Sequence, residues 1–282
     1  MYPEYAGLRH VLDSIPMKID PRNVRPFILT GYRNPLTHST PWECMQSIFT
    51  WHNETLNIHT HLWSAVYFAC AYLTRPVYAC ASTILQVGIT LGYLGAFLTS
   101  VASTFAHTMY ILDSKWYRFA WFIDCLGIIA VNYSHFLLDL FSTALYVHSP
   151  TLLYAGLGLI TVFSAWCILN ARRSQDGIGN WGIYYASVAS LPLTLVNYSL
   201  IQREASRWSM LCSALVVVGG SLFYSGRIPE RLCNPYRMFD YVSSHMWFHI
   251  CITISIVSAL SAIPDLYTLE LSSSTQDRPC QT

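Results

Sequence analysis

Seven long apolar segments dominate this chain of 282 residues, and no lysine or arginine lies inside any of them. A helix of about 20 apolar residues crosses the hydrocarbon core of a bilayer, because it satisfies its own backbone hydrogen bonds. The segments cover residues 58–74, 82–106, 119–138, 145–168, 181–201, 208–225 and 245–263. The sequence therefore predicts an all-α, polytopic membrane protein with seven transmembrane helices, in the plasma membrane or the endoplasmic reticulum.

The low charge of the chain excludes two other classes of protein. Charged residues make up 11% of the sequence and the formal net charge is +1, whereas soluble domains contain about 25% charged residues. The large apolar fraction excludes a disordered chain, because there is ample apolar surface to bury. The small net charge excludes a nucleic-acid-binding protein that works by charge. We therefore expect the lipid bilayer as a partner and no nucleic acid, and an intracellular partner is left open.

The distribution of basic residues predicts the orientation of the helices. Loops rich in lysine and arginine face the cytoplasm. With seven spans, twelve of the 16 basic residues lie on the side of the N-terminus, and only four lie on the other side: Arg75, Arg203, Arg207 and Arg278. We therefore predict a cytoplasmic N-terminus and an outside C-terminus. The predicted regions are a cytoplasmic arm (1–57), a seven-helix transmembrane domain (58–265) and a mobile, non-cytoplasmic tail (266–282).

A short helix is predicted within the arm, just before the first span. Thr40-Pro41-Trp42-Glu43 has the pattern of a capping box with proline at the first helical position. Apolar residues follow on one face, which favours a helix lying in the cytoplasmic membrane interface. The alternative is a helix packed on the loops. The nine cysteines include no C-x-x-C motif, and five lie in predicted spans, so no disulfide framework is expected.

Ionisable residues at membrane depth indicate a functional site by default. In the predicted topology His107, Asp124, His245 and His249 occupy one layer near the cytoplasmic face. His245 and His249 are four residues apart, so both imidazoles lie on one helix face. Three imidazoles with an open position for water form a catalytic zinc arrangement. In that arrangement Asp124 would orient or deprotonate the water, and Ser103, one turn before His107, would face the same space.

Two alternatives remain open at this point. An i, i+4 histidine pair arises readily by chance in a chain with ten histidines, and the layer is then satisfied polar packing. A second polar group, Glu54 and Asn57, lies on one helix face at the start of the first span. This pair either has a capping and packing role or reaches the histidine layer. His52, His59 and His61 are a weaker alternative ligand set, because His59 and His61 point to different faces of a helix.

Several short motifs follow one another in a fixed order along residues 30–263. They are Gly31-Tyr32-Arg33-Asn34-Pro35, Asn53-Glu54-Thr55-Leu56-Asn57-Ile58, Ser103-Thr104-Phe105-Ala106-His107, Asp124, Pro229-Glu230-Arg231, Phe239-Asp240 and Ser244-His245-Met246-Trp247-Phe248-His249. With these motifs the chain resembles the progestin and adipoQ receptor family. One departure is His59, which stands where the family usually has tryptophan.

The resemblance implies a seven-helix receptor with its N-terminus inside. Adiponectin receptors of this family hold zinc by three histidines, which match His107, His245 and His249. A water lies between their zinc and the aspartate that matches Asp124, and the serine matching Ser103 is close by. These receptors are reported as ceramidases, which hydrolyse an amide to a fatty acid and sphingosine. Several motifs look closer to membrane progestin receptors, a steroid-responsive class.

Two functions follow as expectations. The first is a signalling receptor for a steroid or adipokine ligand, with an intramembrane zinc site near the cytoplasmic face. The second is a zinc-dependent amide hydrolase that acts on ceramide-like membrane lipids without an extracellular ligand. Both functions use the same residues, so the sequence does not separate them.

Overall fold

The computed structural model describes residues 24–25, 27–146, 149–173 and 204–274. Within these ranges the regular structure is helical throughout, and no strand is present. The helices are α1 (Pro41–Gln46), α2 (Thr55–Thr74), α3 (Thr83–Met109), α4 (Ser114–Tyr146), α5 (Pro150–Arg173), α6 (Glu204–Gly226), α7 (Ser244–Leu260) and α8 (Ile263–Ser274). Two short 3-10 helices, Ser47–Phe49 and Pro235–Asp240, precede α2 and α7.

The helices coincide with six of the seven predicted spans, and the fifth predicted span, 181–201, lies outside the described residues. Among the described residues, five helical stretches are long and apolar enough to cross a membrane: Thr83–Met109, Ser114–Phe141, Pro150–Arg172, Arg207–Gly226 and Ser244–Ser272. Helix α2 is not among them, because Asn57, His59 and His61 lower the mean hydropathy of its first two turns. The chain is therefore an integral membrane protein with several transmembrane helices.

Helix α1 begins as the sequence predicts. The Thr40 hydroxyl accepts a hydrogen bond from the Glu43 backbone N–H, and the Glu43 carboxylate accepts one from the Thr40 backbone N–H, so the predicted capping box is confirmed. One side of the helix packs inward through the buried Cys44, while Trp42 and Phe49 are exposed. Exposed aromatic rings next to membrane-spanning helices are typical of a segment in the membrane interface.

Two apolar cores hold the bundle together, one at each end. Helix α2 packs on α3 and α7, α3 packs on α4, α4 packs on α5, and α6 packs on α7. The first core joins six helices through Phe68, Leu85, Leu138, Leu153, Leu260 and Leu266. The second core joins α1, the end of α3 and the start of α4 through Cys44, Ala106, Met109, Tyr110 and Trp121. The second core lies beside the candidate site, where the Trp121 ring contacts the His107 ring edge-on.

The predicted tail differs from expectation over its first part, because Ile263–Ser274 forms a helix. The Glu270 carboxylate accepts a hydrogen bond from the Ser82 backbone N–H at the start of α3, and Tyr267 packs edge-on against Tyr78. These contacts order the tail against the α2–α3 loop. Cys80 in the same loop is disulfide-bonded, whereas the seven other cysteines within the described ranges carry no disulfide bond, so the sequence failed to predict this bond.

Candidate metal centre

Three imidazoles converge where the end of α3 meets the start of α7. Nε2 of His245 lies 3.0 Å from Nε2 of His107 and 3.1 Å from Nε2 of His249. One nitrogen from each of the three rings lies within 4.8 Å of the others. His107 and His249 are almost fully buried. The predicted pairing of the i, i+4 histidines with His107 is therefore present, and the three residues are close enough to hold a metal ion.

The hydrogen bonds of Nδ1 in His107 and His249 determine which ring nitrogens carry protons. Nδ1 of His107 lies 2.7 Å from Oε2 of Glu54. Nδ1 of His249 lies 3.2 Å from the Asn57 carbonyl oxygen and from the Thr60 hydroxyl, which itself donates to that carbonyl. All three partners act as acceptors, so each Nδ1 carries the proton and each Nε2 presents a lone pair to the centre. At most one hydrogen, on His245, is then available among three nitrogens. A cation at the centre resolves this deficit, so the donor set fits a metal ion.

The Glu54 carboxylate accepts three hydrogen bonds, one of them from His107. Its Oε2 accepts from Nδ1 of His107 and from the Asn57 amide, both at 2.7 Å. Its Oε1 accepts from the Tyr110 hydroxyl at 3.1 Å and lies 3.5 Å from Nε of Arg25. A carboxylate that orients a ligating imidazole in this way is a recurring feature of metal sites. The sequence left two interpretations of Glu54 open. The structure shows the one in which Glu54 reaches the histidine layer.

The charge on Glu54 is maintained although the side chain is only 1% exposed. Burial alone would raise the pKa of this carboxyl group, but Arg25 and His107 hold the pKa of Glu54 well below its usual range. The Arg25 guanidinium also lies 5.0 Å from the centre of the Trp121 ring, a favourable cation–π distance. An ionised Glu54 accepts strongly from His107, because charge-assisted hydrogen bonds are the stronger kind.

Arg33 anchors the end of α3 that carries His107. Its guanidinium donates to the backbone carbonyls of His107 at 2.7 Å and Thr108 at 2.8 Å. These carbonyls belong to the last turn of the helix, where backbone acceptors lack intrahelical partners and a cation is favoured. Gly31, two residues earlier, has a φ of +78°, and a Cβ there would lie 2.8 Å from the Tyr241 ring. A glycine is therefore needed for the arm to reach this position.

Two buried carboxylates position the start of α7, which carries His245 and His249. Glu230 accepts hydrogen bonds from the backbone N–H and the hydroxyl of Ser244. Asp240 accepts from the backbone N–H groups of Leu29 and Thr30, and from the Asn234 amide. The loop before α7 and the N-terminal arm are thereby joined. Both acids belong to short sequence motifs, but their partners lie elsewhere in the chain, so the motifs alone do not predict these roles.

Ser103 and Asp124 belong to the two helices, α3 and α4, that pack together at His107. Ser103 is buried on α3, one turn before His107. Asp124 on α4 interacts with the Ser103 side chain and, electrostatically, with His107. The three predicted histidines therefore come together, Asp124 interacts with Ser103 and His107, and the roles of all five residues remain predictions.

The other histidines near α2 do not form a ligand set. Nε2 of His52 and Nε2 of His59 lie 3.1 Å and 2.8 Å from the backbone carbonyls of Ser47 and Ile48. His59 therefore ties the chain before α2 to its first turn. Burial, assisted by Arg33, lowers the pKa of His52 to about 4. His61 packs against the His249 ring with 4.0 Å between ring centres, so it forms part of the wall of the site.

The sequence is similar to a set of membrane receptors. A family model described as Haemolysin-III related matches residues 49–260. Progestin and adipoQ receptor-like protein 1 of Caenorhabditis elegans is 27% identical over 251 residues, 81% of this chain and 55% of that protein. ADIPOR-like receptor IZH2 of Saccharomyces cerevisiae is 27% identical over 86% of this chain and 80% of its own length. Membrane progestin receptor gamma of Mus musculus is 28% identical over 84% of this chain and 76% of its own length. The chain thus spans about half the length of the nematode relative.

We predict that Glu54→Gln weakens the binding of Zn²⁺, used as a probe, by about 10- to 100-fold, because the neutral amide orients His107 less strongly. Competition with a chelator in purified protein measures this affinity. Glu43→Gln is the matched control, since Glu43 belongs to the capping box of α1 and not to the histidine cluster. Unchanged affinity in a folded Glu54→Gln protein would contradict the role assigned to Glu54.

Proposed function

The chain belongs to the Haemolysin-III related family, and on this basis we propose that it is a receptor-like membrane protein with a zinc-dependent hydrolytic site near the cytoplasmic face. The observation that carries the proposal is the convergence of three histidine nitrogens, with Ser103 and Asp124 beside them. The proposed reaction is hydrolysis of the amide bond of a ceramide-like lipid. His107, His245 and His249 are the proposed zinc ligands.

Zinc is the metal that the donor set favours. Zinc binds imidazole nitrogen at about 2.0–2.1 Å in tetrahedral geometry, which separates neighbouring ligand nitrogens by about 3.4 Å. The observed separations from Nε2 of His245 are 3.0 and 3.1 Å. Structural zinc sites use four protein ligands, whereas catalytic sites use three and leave one position open. The cluster in the described residues has three members, which supports a catalytic site.

The residues around the cluster have distinct roles in the proposed reaction. When bound, zinc supplies Lewis acidity that polarises a carbonyl group and acidifies water. Asp124 accepts a proton from the attacking water and returns it to the departing nitrogen. Water adds to the carbonyl carbon and the bond from that carbon to nitrogen breaks, so a fatty acid and an amine leave. Ser103 holds the Asp124 carboxylate in place through its hydroxyl.

A membrane lipid is the proposed substrate because of where the site lies. His107 is in the last turn of a membrane-spanning helix, and His245 is in the first turn of another. A molecule that dissolves in the bilayer reaches this depth without crossing water. Ceramide-like lipids carry an amide bond near the membrane surface, which matches the depth of the cluster.

Ligand reception is the second candidate, and the names of relatives favour it. Mouse and human relatives are called membrane progestin receptor gamma, and a Drosophila melanogaster relative is called adiponectin receptor protein. In this alternative a steroid or adipokine binds, and zinc stabilises the bundle. Ligand binding that survives replacement of His245 and His249 would support this function over hydrolysis.

Two independent features support a cytoplasmic location for the cluster. The first is the excess of basic residues on the side of the N-terminus in a seven-span plan. The second is the disulfide bond of Cys80, because disulfides persist in oxidising compartments outside the cytosol. Cys80 follows the end of α2, and the cluster lies beside its start, about 30 Å away along a helix of 20 residues. We therefore propose a cytoplasmic N-terminal arm and a non-cytoplasmic tail.

We predict that the purified protein releases fatty acid from a short-chain ceramide and that Asp124→Asn lowers the rate at least 100-fold, because the amide does not accept the proton. Mass spectrometry of the fatty acid product measures the rate. Asp113→Asn, a change in an exposed loop, serves as the control. Equal turnover in Asp124→Asn and in the wild type would contradict the proposed mechanism.

We also predict that an epitope tag at Met1 is stained by antibody only after the plasma membrane is made permeable, whereas a tag at Thr282 is stained in intact cells. The reason is that the Cys80 end of the bundle faces an oxidising compartment. This test uses cells in which the protein is at the surface. Staining of the Met1 tag in intact cells would invert the proposed topology.

A further inference from the structure

A small cavity lined by His245 borders the histidine cluster. Its volume is about 20 Å³, and its lining includes Arg25 of the arm, Asn57 of α2 and His245 of α7. A cavity of about 10–15 Å³ measured in this way holds one water molecule. The cavity therefore has room for one water and for nothing much larger.

Each of these three residues has a buried polar atom without a hydrogen-bond partner among the described residues. The atoms are Nη2 of Arg25, Oδ1 of Asn57 and Nδ1 of His245. Unpaired buried polar atoms are uncommon, since each costs about 1–3 kcal/mol. Here the residues that carry two potential donors and one acceptor all line the same cavity. The pattern indicates a shared partner that both accepts and donates hydrogen bonds.

The charges around the cavity exclude an anion as that partner. Arg25 and Arg227 contribute two positive charges, but three carboxylates line the same cavity: Glu54, Glu230 and Asp240. Arg25 is already paired with Glu54 at 3.5 Å. A cation in this cavity, in addition to the metal ion at the cluster, is disfavoured because Arg25 and Nδ1–H of His245 would both point donors at it. A neutral water molecule meets the donors and the acceptor together.

We propose that this cavity is a structural water site, in which one water accepts hydrogen bonds from Arg25 and from Nδ1–H of His245 and donates one to Asn57. Its second hydrogen is available to a carboxylate of the lining. The inference rests on the metal site proposed above and extends it. With this water, each of the three imidazoles has an outer partner: Glu54 for His107, the Asn57 carbonyl for His249 and the water for His245.

The water gives the N-terminal arm a direct influence on the metal site. Arg25 contacts Glu54 and, through the water, His245, so one arm residue acts on two of the three ligands. Asn57 likewise acts on all three, through its amide, its backbone carbonyl and its side-chain oxygen. Arg25 and Asn57 are therefore positioning residues, which set the tautomer and orientation of the imidazoles.

The first test is an experimental structure of the zinc-loaded wild-type protein at a resolution that shows ordered water. We expect one water peak within hydrogen-bonding distance of Nη2 of Arg25, Oδ1 of Asn57 and Nδ1 of His245. An empty cavity, or a side chain that fills it and pairs with these atoms, would overturn the proposal.

The second test compares the Zn²⁺ affinity of Asn57→Leu with that of Tyr110→Phe by chelator competition. Both variants remove one hydrogen bond to Glu54, but only Asn57 lines the cavity. We expect Asn57→Leu to bind Zn²⁺ about tenfold more weakly than Tyr110→Phe. Equal affinities would show that Asn57 acts through Glu54 alone and would overturn the water site. Failure of the metal site itself gives a different result, the absence of Zn²⁺ binding by the wild type.

Discussion

The hydrogen bond between the buried Glu54 carboxylate and Nδ1 of His107 is the interaction on which the rest of the site depends. It joins the start of α2 to the end of α3, and it directs Nε2 of His107 toward the two histidines of α7. A charged carboxylate in an apolar environment is stable only if its oxygens are fully hydrogen-bonded. Asn57, Tyr110 and Arg25 supply those bonds.

This requirement explains why the N-terminal arm and the loop before α7 are folded over the cluster. Arg25 and Arg33 reach the site from the arm, one to Glu54 and the other to the last carbonyls of α3. Asp240 and Glu230 tie the loop to the arm and to the first turn of α7. The buried charges thus act in pairs, each with a specific backbone or side-chain partner. The histidines are held from both sides by elements that do not themselves bind the metal.

The sequence predicts the helices well because apolar length is a direct requirement of the bilayer. Thr83–Met109 and Ser244–Leu260 start and end within a few residues of the predicted spans. The i, i+4 spacing of His245 and His249 and the predicted topology also bring the three histidines into one layer. The roles of Arg33 and Asp240 were not predictable in this way, because their partners are backbone groups 75 and 210 residues distant. The disulfide of Cys80 escaped prediction because cysteine number and spacing carry no information on pairing.

The central claim is that His107, His245 and His249 hold zinc, and zinc content per chain tests it most directly. The measurement compares detergent-purified wild type, never exposed to chelator, with the His245→Ala, His249→Ala double variant. His38→Ala, which alters a histidine outside the cluster, is the control. We predict about one zinc per chain in the wild type and in the control, and none in the double variant, because one protein ligand does not retain the ion. Wild-type protein without zinc, or a double variant that retains it, would contradict the account.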